Sequence, residues 1–246
     1  MQTFYFTDPG KVRSHNEDSV TIINNDKSEF ILAIADGMGG HKAGEVASKI
    51  AIDHIRDSFY KLDTIGSKDE AIEWLRLIVK EINNKIFEYA KEHPESKGLG
   101  TTLVIAIKTN DYILYGNIGD SSGYVIKNNT LHKVTKDHTY VEVLINNGRL
   151  SEESAKHHPG KNLLTRALGA NNPIEIDIFD VDTSVKGLFL CSDGLTNMLT
   201  EEQIEKILNS DLEVEEVVIK LIRKANSRGG TDNISIAYIK KESGEL

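Results

Sequence analysis

The chain has 246 residues, 39% hydrophobic and 27% charged, enough for one large domain or two small ones with a substantial core. Its net charge of −9 excludes a general nucleic-acid binder, because neutralising phosphates takes clustered Lys and Arg. A single cysteine excludes an intrachain disulfide, and no apolar run approaches the ~20 residues needed to span a bilayer; with no basic stretch leading into an apolar one at the N-terminus, a cytoplasmic protein without a membrane partner is expected.

The chain opens with short apolar runs at 4–6, 19–23 and 30–35, rich in Ile, Val, Tyr and Phe and bounded by Asn, Asp and Gly, which read as strands. Residues 43–59 follow with Val46, Ala47, Ile50, Ala51, Ile55 and Phe59 on one stripe. Residues 69–90 repeat the pattern with Ala71, Trp74, Leu75, Ile78, Val79, Ile82, Ile86 and Ala90. Both stripes have the i, i+3, i+4 spacing of amphipathic helices. Strands resume at 102–107, 112–118 and 123–126, and after a polar segment at 174–179 and 187–191. Two helices are predicted over 201–208 and 213–225, with Thr200 and Ser210 near their starts, and a strand over 234–239. No repeat or linker divides the chain: 1–241 reads as one domain and 242–246 as a charged tail. Regular βαβ alternation is absent, which argues for mainly antiparallel sheets covered by helices.

Cys191 sits in the apolar run 187–191 and reads as a small buried hydrophobe. A cysteine phosphatase would want an arginine six residues on to bind phosphate, and Asn197 stands there. The stretch Gly119-Asp120-Ser121-Ser122-Gly123 fits the nucleophile elbow of serine hydrolases, which requires a strand, a sharp turn and then a helix. Here 123–126 reads as another strand, and the turn-like Lys127-Asn128-Asn129-Thr130 makes it a hairpin, so Ser121 supports a turn.

The acids are placed more tellingly. Run 30–35 ends in Asp36-Gly37, run 112–118 in Gly119-Asp120, and run 187–191 in Ser192-Asp193-Gly194. Asp232-Asn233 precedes the last strand, and Asn16-Glu17-Asp18 precedes the second. A single Asp-Gly is a common turn. If the strand ends converge, however, several carboxylates share one space, and such a cluster repels itself at pH 7 unless cations occupy it. Oxygen-only ligands select hard ions, Mg²⁺ or Mn²⁺, over zinc. A pair of such ions makes a hydrolytic centre that needs no covalent nucleophile from the protein.

At this point the chain resembles the metal-dependent serine/threonine protein phosphatases of the type 2C class, in their compact bacterial form. The resemblance is carried by Gly10-Lys11-Val12-Arg13-Ser14-His15-Asn16-Glu17-Asp18, Ala35-Asp36-Gly37-Met38-Gly39-Gly40-His41, Gly100-Thr101-Thr102, and Gly116-Asn117-Ile118-Gly119-Asp120-Ser121. Asp137-His138-Thr139, Leu164-Thr165-Arg166-Ala167-Leu168-Gly169, Cys191-Ser192-Asp193-Gly194-Leu195 and Gly229-Gly230-Thr231-Asp232-Asn233 continue it. It implies an α+β fold, a four-layer α-β-β-α sandwich of two mainly antiparallel sheets flanked by helices. It also implies hydrolysis of phosphoserine and phosphothreonine on proteins by a metal-bridging hydroxide. Asp36 would bridge two Mn²⁺ or Mg²⁺ ions, with the Gly37 carbonyl on one. Asp193 and Asp232 would hold the first ion. Glu17 or Asp18, directly or through water, would help hold the second, and Asp120 with Asp193 would support a third, looser one. Arg13 matches the phosphate-binding arginine, and its planar fork suits phosphate oxygens. Phosphorylated proteins are the expected partners, a cognate Ser/Thr kinase is implied, and a monomer is expected.

The chain departs from the pattern in two places. Ser122 stands where the family commonly has arginine, and Met38 where some relatives carry a histidine that acts as general acid. His41 is the nearest candidate for that acid. Residues 146–169 resemble the flap over the site and carry Arg149, Lys156, His157, His158, Lys161 and Arg166, a positive patch expected to meet phosphorylated substrates. The rival readings are a catalytically inactive relative that binds phosphoproteins, and a phosphatase dedicated to one regulator.

Overall fold

The computed structural model describes residues 1–39, 43–96, 98–155 and 157–241. The expected tail, 242–246, lies outside them. The elements run β1 (Gln2–Asp8), β2 (Asp18–Asn24), β3 (Phe30–Met38), α1 (Ala43–Phe59), α2 (Lys68–Glu92), a 3₁₀ turn (Pro94–Ser96), β4 (Gly100–Thr101) and β5 (Leu103–Lys108). They continue with β6 (Ile113–Ile118), β7 (Ser122–Lys127), β8 (Thr130–Lys133), α3 (Tyr140–Asn146), α4 (Glu152–Ala155) and β9 (Asp177–Val181). The last are β10 (Gly187–Cys191), α5 (Asp193–Thr196), α6 (Glu201–Leu208), α7 (Val214–Ser227) and β11 (Ile234–Lys240).

One sheet has the order β1-β11-β10-β7-β8 and the other β2-β3-β5-β6-β9, with β4 paired to the end of β3. Every pairing is antiparallel. The period of two along each strand sorts its side chains into layers. Ile31, Ala33 and Ala35 of β3 pack with Ile55, Leu75 and Ile82 of α1 and α2. The intervening Leu32 and Ile34 face the other sheet and meet Tyr115, Leu190 and Ala237. On the far side, Phe189, Cys191, Ile236 and Tyr238 pack beneath Ile204, Val217 and Leu221 of α6 and α7. This is the expected four-layer α-β-β-α sandwich. Its central strands are buried on both faces, which is why they read as unbroken apolar runs although the sheets are antiparallel.

Local signals explain the boundaries. Ser67 accepts from the Glu70 amide while the Glu70 carboxylate returns to the Ser67 amide, a capping box that starts α2. Asn128 and Asn129 adopt φ of 53° and 63°, the double positive φ of a two-residue hairpin turn, which joins β7 to β8 as expected. The strand expected at 174–179 lies at Asp177–Val181 instead, because its register with β6 pairs Asn117 with Asp177 and leaves the residues before it without a partner strand. The one-turn helices α4 and α5 and the short α3 are too brief to show a periodic stripe.

Candidate active site

The acid-bearing strand ends meet at one edge of the sandwich. There Arg13, Glu17, Asp36, Gly37, Asp120, Asp193 and Asp232 line a single cleft of about 510 Å³. A cleft of about 580 Å³ at the opposite ends of the strands, lined by Phe30, Lys108, Ile113 and Lys241, has no acid among its described lining residues.

Asp36 is fixed through its backbone. Its N–H donates to Thr102 Oγ1 at 3.0 Å, and its carbonyl accepts from Thr101 Oγ1 and the Thr102 amide at 2.9 Å each. Thr102 is also hydrogen-bonded to Ser121, hydroxyl to hydroxyl at 2.8 Å. Ser121 is therefore fully buried and supports the turn as expected. Gly37 donates its N–H to the Glu17 carbonyl, and a Cβ there would sit 2.1 Å from the Gly44 carbonyl oxygen. Only glycine lets β3 approach the start of α1 this closely.

Asp18 stands directly opposite Asp36 in the β2–β3 register. It lies outside the cleft lining, and its Oδ2 accepts from Ser192 Oγ at 2.8 Å and Ser235 Oγ at 2.7 Å. Asp193 Oδ2 accepts from Asn197 Nδ2 at 3.0 Å, and Asp232 Oδ2 accepts from the Arg13 guanidinium at 2.8 Å. Asn233 staples the loop before β2 to β11. Its Oδ1 accepts from the Glu17 amide at 2.8 Å, while its Nδ2 donates to the carbonyls of Pro9 and His15 at 3.0 and 2.9 Å. Sequence reasoning missed Asn233, Ser192 and Ser235 as site builders. The available signal was a polar residue at the mouth of an otherwise apolar strand.

The electrostatics of this cluster are strained. Burial, then repulsion from Asp18, Asp193, Asp120 and Asp232, raises the Asp36 carboxyl well above the ordinary range. Burial pushes Asp18 up to about 7 in spite of its two serine donors, and Asp120, beside Asp193 and Asp137, also to about 7. Asp193 and Glu17 are raised, again chiefly by burial. Arg13 is raised by its hydrogen bond to Asp232.

Two buried oxygens, Asp18 Oδ1 and Asp193 Oδ1, have no hydrogen-bond partner among the described residues. Such orphans cost about 1–3 kcal/mol each when nothing compensates them. Among the described residues no three acidic, histidine or cysteine side chains already surround a point closely enough to hold an ion by themselves. The fit to a cation rests instead on donor chemistry: hard oxygens only, two of them orphaned, in a group that repels itself.

His41 and Lys156 lie outside the described residues. Met38 lines the cleft. Ser122 is buried in β7 opposite Cys191, so no long side chain reaches out from that position. Cys191 is fully buried, as expected, and burial raises its thiol. Arg166 lines the cleft, but its guanidinium is bound to Asp177 and the Glu175 carbonyl, so it is not the freely available substrate-facing charge expected from sequence.

A family model described as Protein phosphatase 2C matches residues 11–232. The chain is 41% identical over 242 residues to the serine/threonine phosphatase stp of Listeria welshimeri, covering 98% of this chain and 96% of that protein. It is 35% identical over 241 residues to the protein phosphatase PhpP of Streptococcus pneumoniae, covering 97% of each. Among solved structures it is similar to the S. agalactiae serine/threonine phosphatase, with a TM-score of 0.93, 33% identity and coverage of 98% and 99% of the two chains. The similarity to Stp1 of Staphylococcus aureus has a TM-score of 0.92 at 34% identity, covering 99% of this chain and 96% of that one.

Proposed function

This chain belongs to the protein phosphatase 2C family and is a serine/threonine phosphatase, and we propose that it works on phosphoserine and phosphothreonine of proteins through the aspartate-lined cleft. The observation that carries this reading is the gathering of Asp36, Asp120, Asp193 and Asp232 in one cleft with Arg13 at its wall. The family is metal-dependent; here Asp36, Asp193 and Asp232 would hold one Mn²⁺ or Mg²⁺ ion, and the Gly37 carbonyl would serve one of the two ions that Asp36 holds. Asp36 and Glu17, backed by Asp18, would hold a second, and Asp120 with Asp193 a third. Bound there, such ions activate water near neutral pH and neutralise developing phosphoryl charge.

The protein's own groups do the rest. Arg13, half exposed and paired with Asp232, can turn its remaining donors to the phosphoryl oxygens and orient the phosphorus toward Asp36. The threonine and serine hydroxyls behind Asp36 hold its backbone in place at the end of β3. The departing serine or threonine oxygen takes its proton from water or from His41. Lys161, in segment 146–169, gives the entrance positive charge that draws phosphopeptides in. We place the enzyme in the cytoplasm as a monomer, opposing a Ser/Thr kinase of the same cell; among the described residues no helix is long and apolar enough to cross a membrane.

The test is hydrolysis of a phosphothreonine peptide by the full chain with and without Mn²⁺, beside Asp193→Ala. Turnover that requires the metal and collapses in the variant is expected. Equal turnover in Asp193→Ala, or turnover in excess chelator, would sink the assignment.

A further inference from the structure

The turn that carries Asp120 is held by a line of contacts that ends over the cleft. Gly119 has φ of 102°, and a Cβ there would lie 2.6 Å from Thr102 Cγ2, so the turn has little freedom to rebuild. Its N–H donates to His138 Nδ1 at 3.1 Å, and its carbonyl accepts from the His138 amide at 2.9 Å and from Asn117 Nδ2 at 3.1 Å. Because Nδ1 is the acceptor, the ring hydrogen sits on Nε2, which donates to Asp177 Oδ2 at 3.1 Å. The other oxygen of Asp177 takes the guanidinium of Arg166. Thr165, next to Arg166, donates its amide to the His138 carbonyl at 2.8 Å. Both Thr165 and Arg166 line the cleft. His138 is buried, so its ring has few other positions to adopt.

We propose that His138, Asp177 and Arg166 are positioning residues that tie the segment over the cleft to the Gly119-Asp120 turn and so set the affinity of the metal site Asp120 serves. The inference rests on the reading of Asp120 as a metal ligand. Its physical basis is that a carboxylate held between a fixed imidazole and a guanidinium fork cannot shift toward one without straining the other. Displacing Arg166 therefore loosens the orientation of His138, and with it the backbone next to Asp120. Partners behind a metal ligand commonly control affinity in this way, and their loss costs about 10–100-fold.

The test measures Mn²⁺ binding calorimetrically, without substrate, for the wild type, Arg166→Ala, Asp177→Asn, Asp120→Asn and the Arg166→Ala/Asp120→Asn double variant. Thermal unfolding is recorded alongside. Arg166 and Asp177 are both part-exposed, so their variants are expected to keep the fold, which the unfolding curves check. The weakest class of Mn²⁺ site is expected to lose about tenfold in affinity in Arg166→Ala and in Asp177→Asn, the low end of that range because these residues act through His138. The double variant is expected to bind no more weakly than Asp120→Asn, with KM for phosphopeptide at saturating Mn²⁺ unchanged by Arg166→Ala. An unchanged isotherm in Arg166→Ala overturns the proposal, as do losses that add in the double variant or a raised KM at saturating Mn²⁺, which marks a substrate contact. An unchanged isotherm in Asp120→Asn overturns the premise instead, whatever Arg166 does.

Discussion

Asn233 ties the loop that carries Arg13 and Glu17 to β11. Asn233→Ala deletes three hydrogen bonds, to the Glu17 amide and to the carbonyls of Pro9 and His15. At about 0.5–1.5 kcal/mol net for each, the loss is roughly 1.5–4.5 kcal/mol. For a chain of this size each kcal/mol lowers Tm by about 2–4 °C, so a fall of roughly 3–18 °C is expected. The same change releases the loop that carries Arg13 and Glu17, so kcat/KM on a phosphopeptide falls further than stability alone explains. Asn233→Asp separates the contributions: it keeps the acceptor for the Glu17 amide but loses both donors, and adds a charge beside Asp232. Thermal unfolding and steady-state kinetics at saturating Mn²⁺ provide the readouts. If Asn233→Ala unfolds within a degree of the wild type and keeps its kcat/KM, the staple does not hold the loop and the reasoning fails.

Arg13→Ala is expected to lower kcat/KM by roughly 10- to 100-fold, following about 1.5–3 kcal/mol for a charged hydrogen bond to phosphate. Arg13→Lys should recover only part of this, since a point charge replaces the fork, and equal kinetics for the two variants would refute the role. The metal-free protein is expected to be more stable near pH 5 than near pH 8. The folded carboxyls of Asp18 and Asp120 titrate near 7, against 3.8 in the unfolded chain. Their contribution is complete below about pH 4 and is lost as pH rises through the folded values. Urea midpoints that rise from pH 5 to pH 8 would contradict it.

The chain declares its architecture where one physical demand dominates. Strands buried on both faces must be apolar at every position, so β5 and β10 stand out as Leu103–Lys108 and Gly187–Cys191. The long helices declare themselves by their stripes. The carboxylates of the cleft are legible for a related reason: an acid beside such a run has nowhere else to go than the end of the sandwich. The groups that aim those acids are hidden. Ser192 and Ser235 reach Asp18 across 174 and 217 residues of sequence, and no local period encodes the contact. Arg166 misled for the opposite reason: its charge is visible in the sequence, whereas Asp177, which binds it, lies at the start of a strand whose boundary was itself misplaced.

The distribution of donors around the acids is the part of the design that stability alone would not produce. Asp18 receives two hydroxyl donors, both on Oδ2, and its buried Oδ1 has no hydrogen-bond partner among the described residues. Asp193 receives Asn197 on Oδ2, and its Oδ1 likewise has no hydrogen-bond partner among those residues. A core optimised for folding would satisfy both oxygens or replace the acid with an apolar side chain, since buried unpaired charge costs several kcal/mol. Here one oxygen of each carboxylate is anchored and the other is not, while Asp36 is held through its backbone. Hydroxyl anchors fix direction without supplying the charge that would quench the carboxylate, which a lysine in the same place would do. The arrangement stores repulsion at the strand ends, which the proposed cations would relieve.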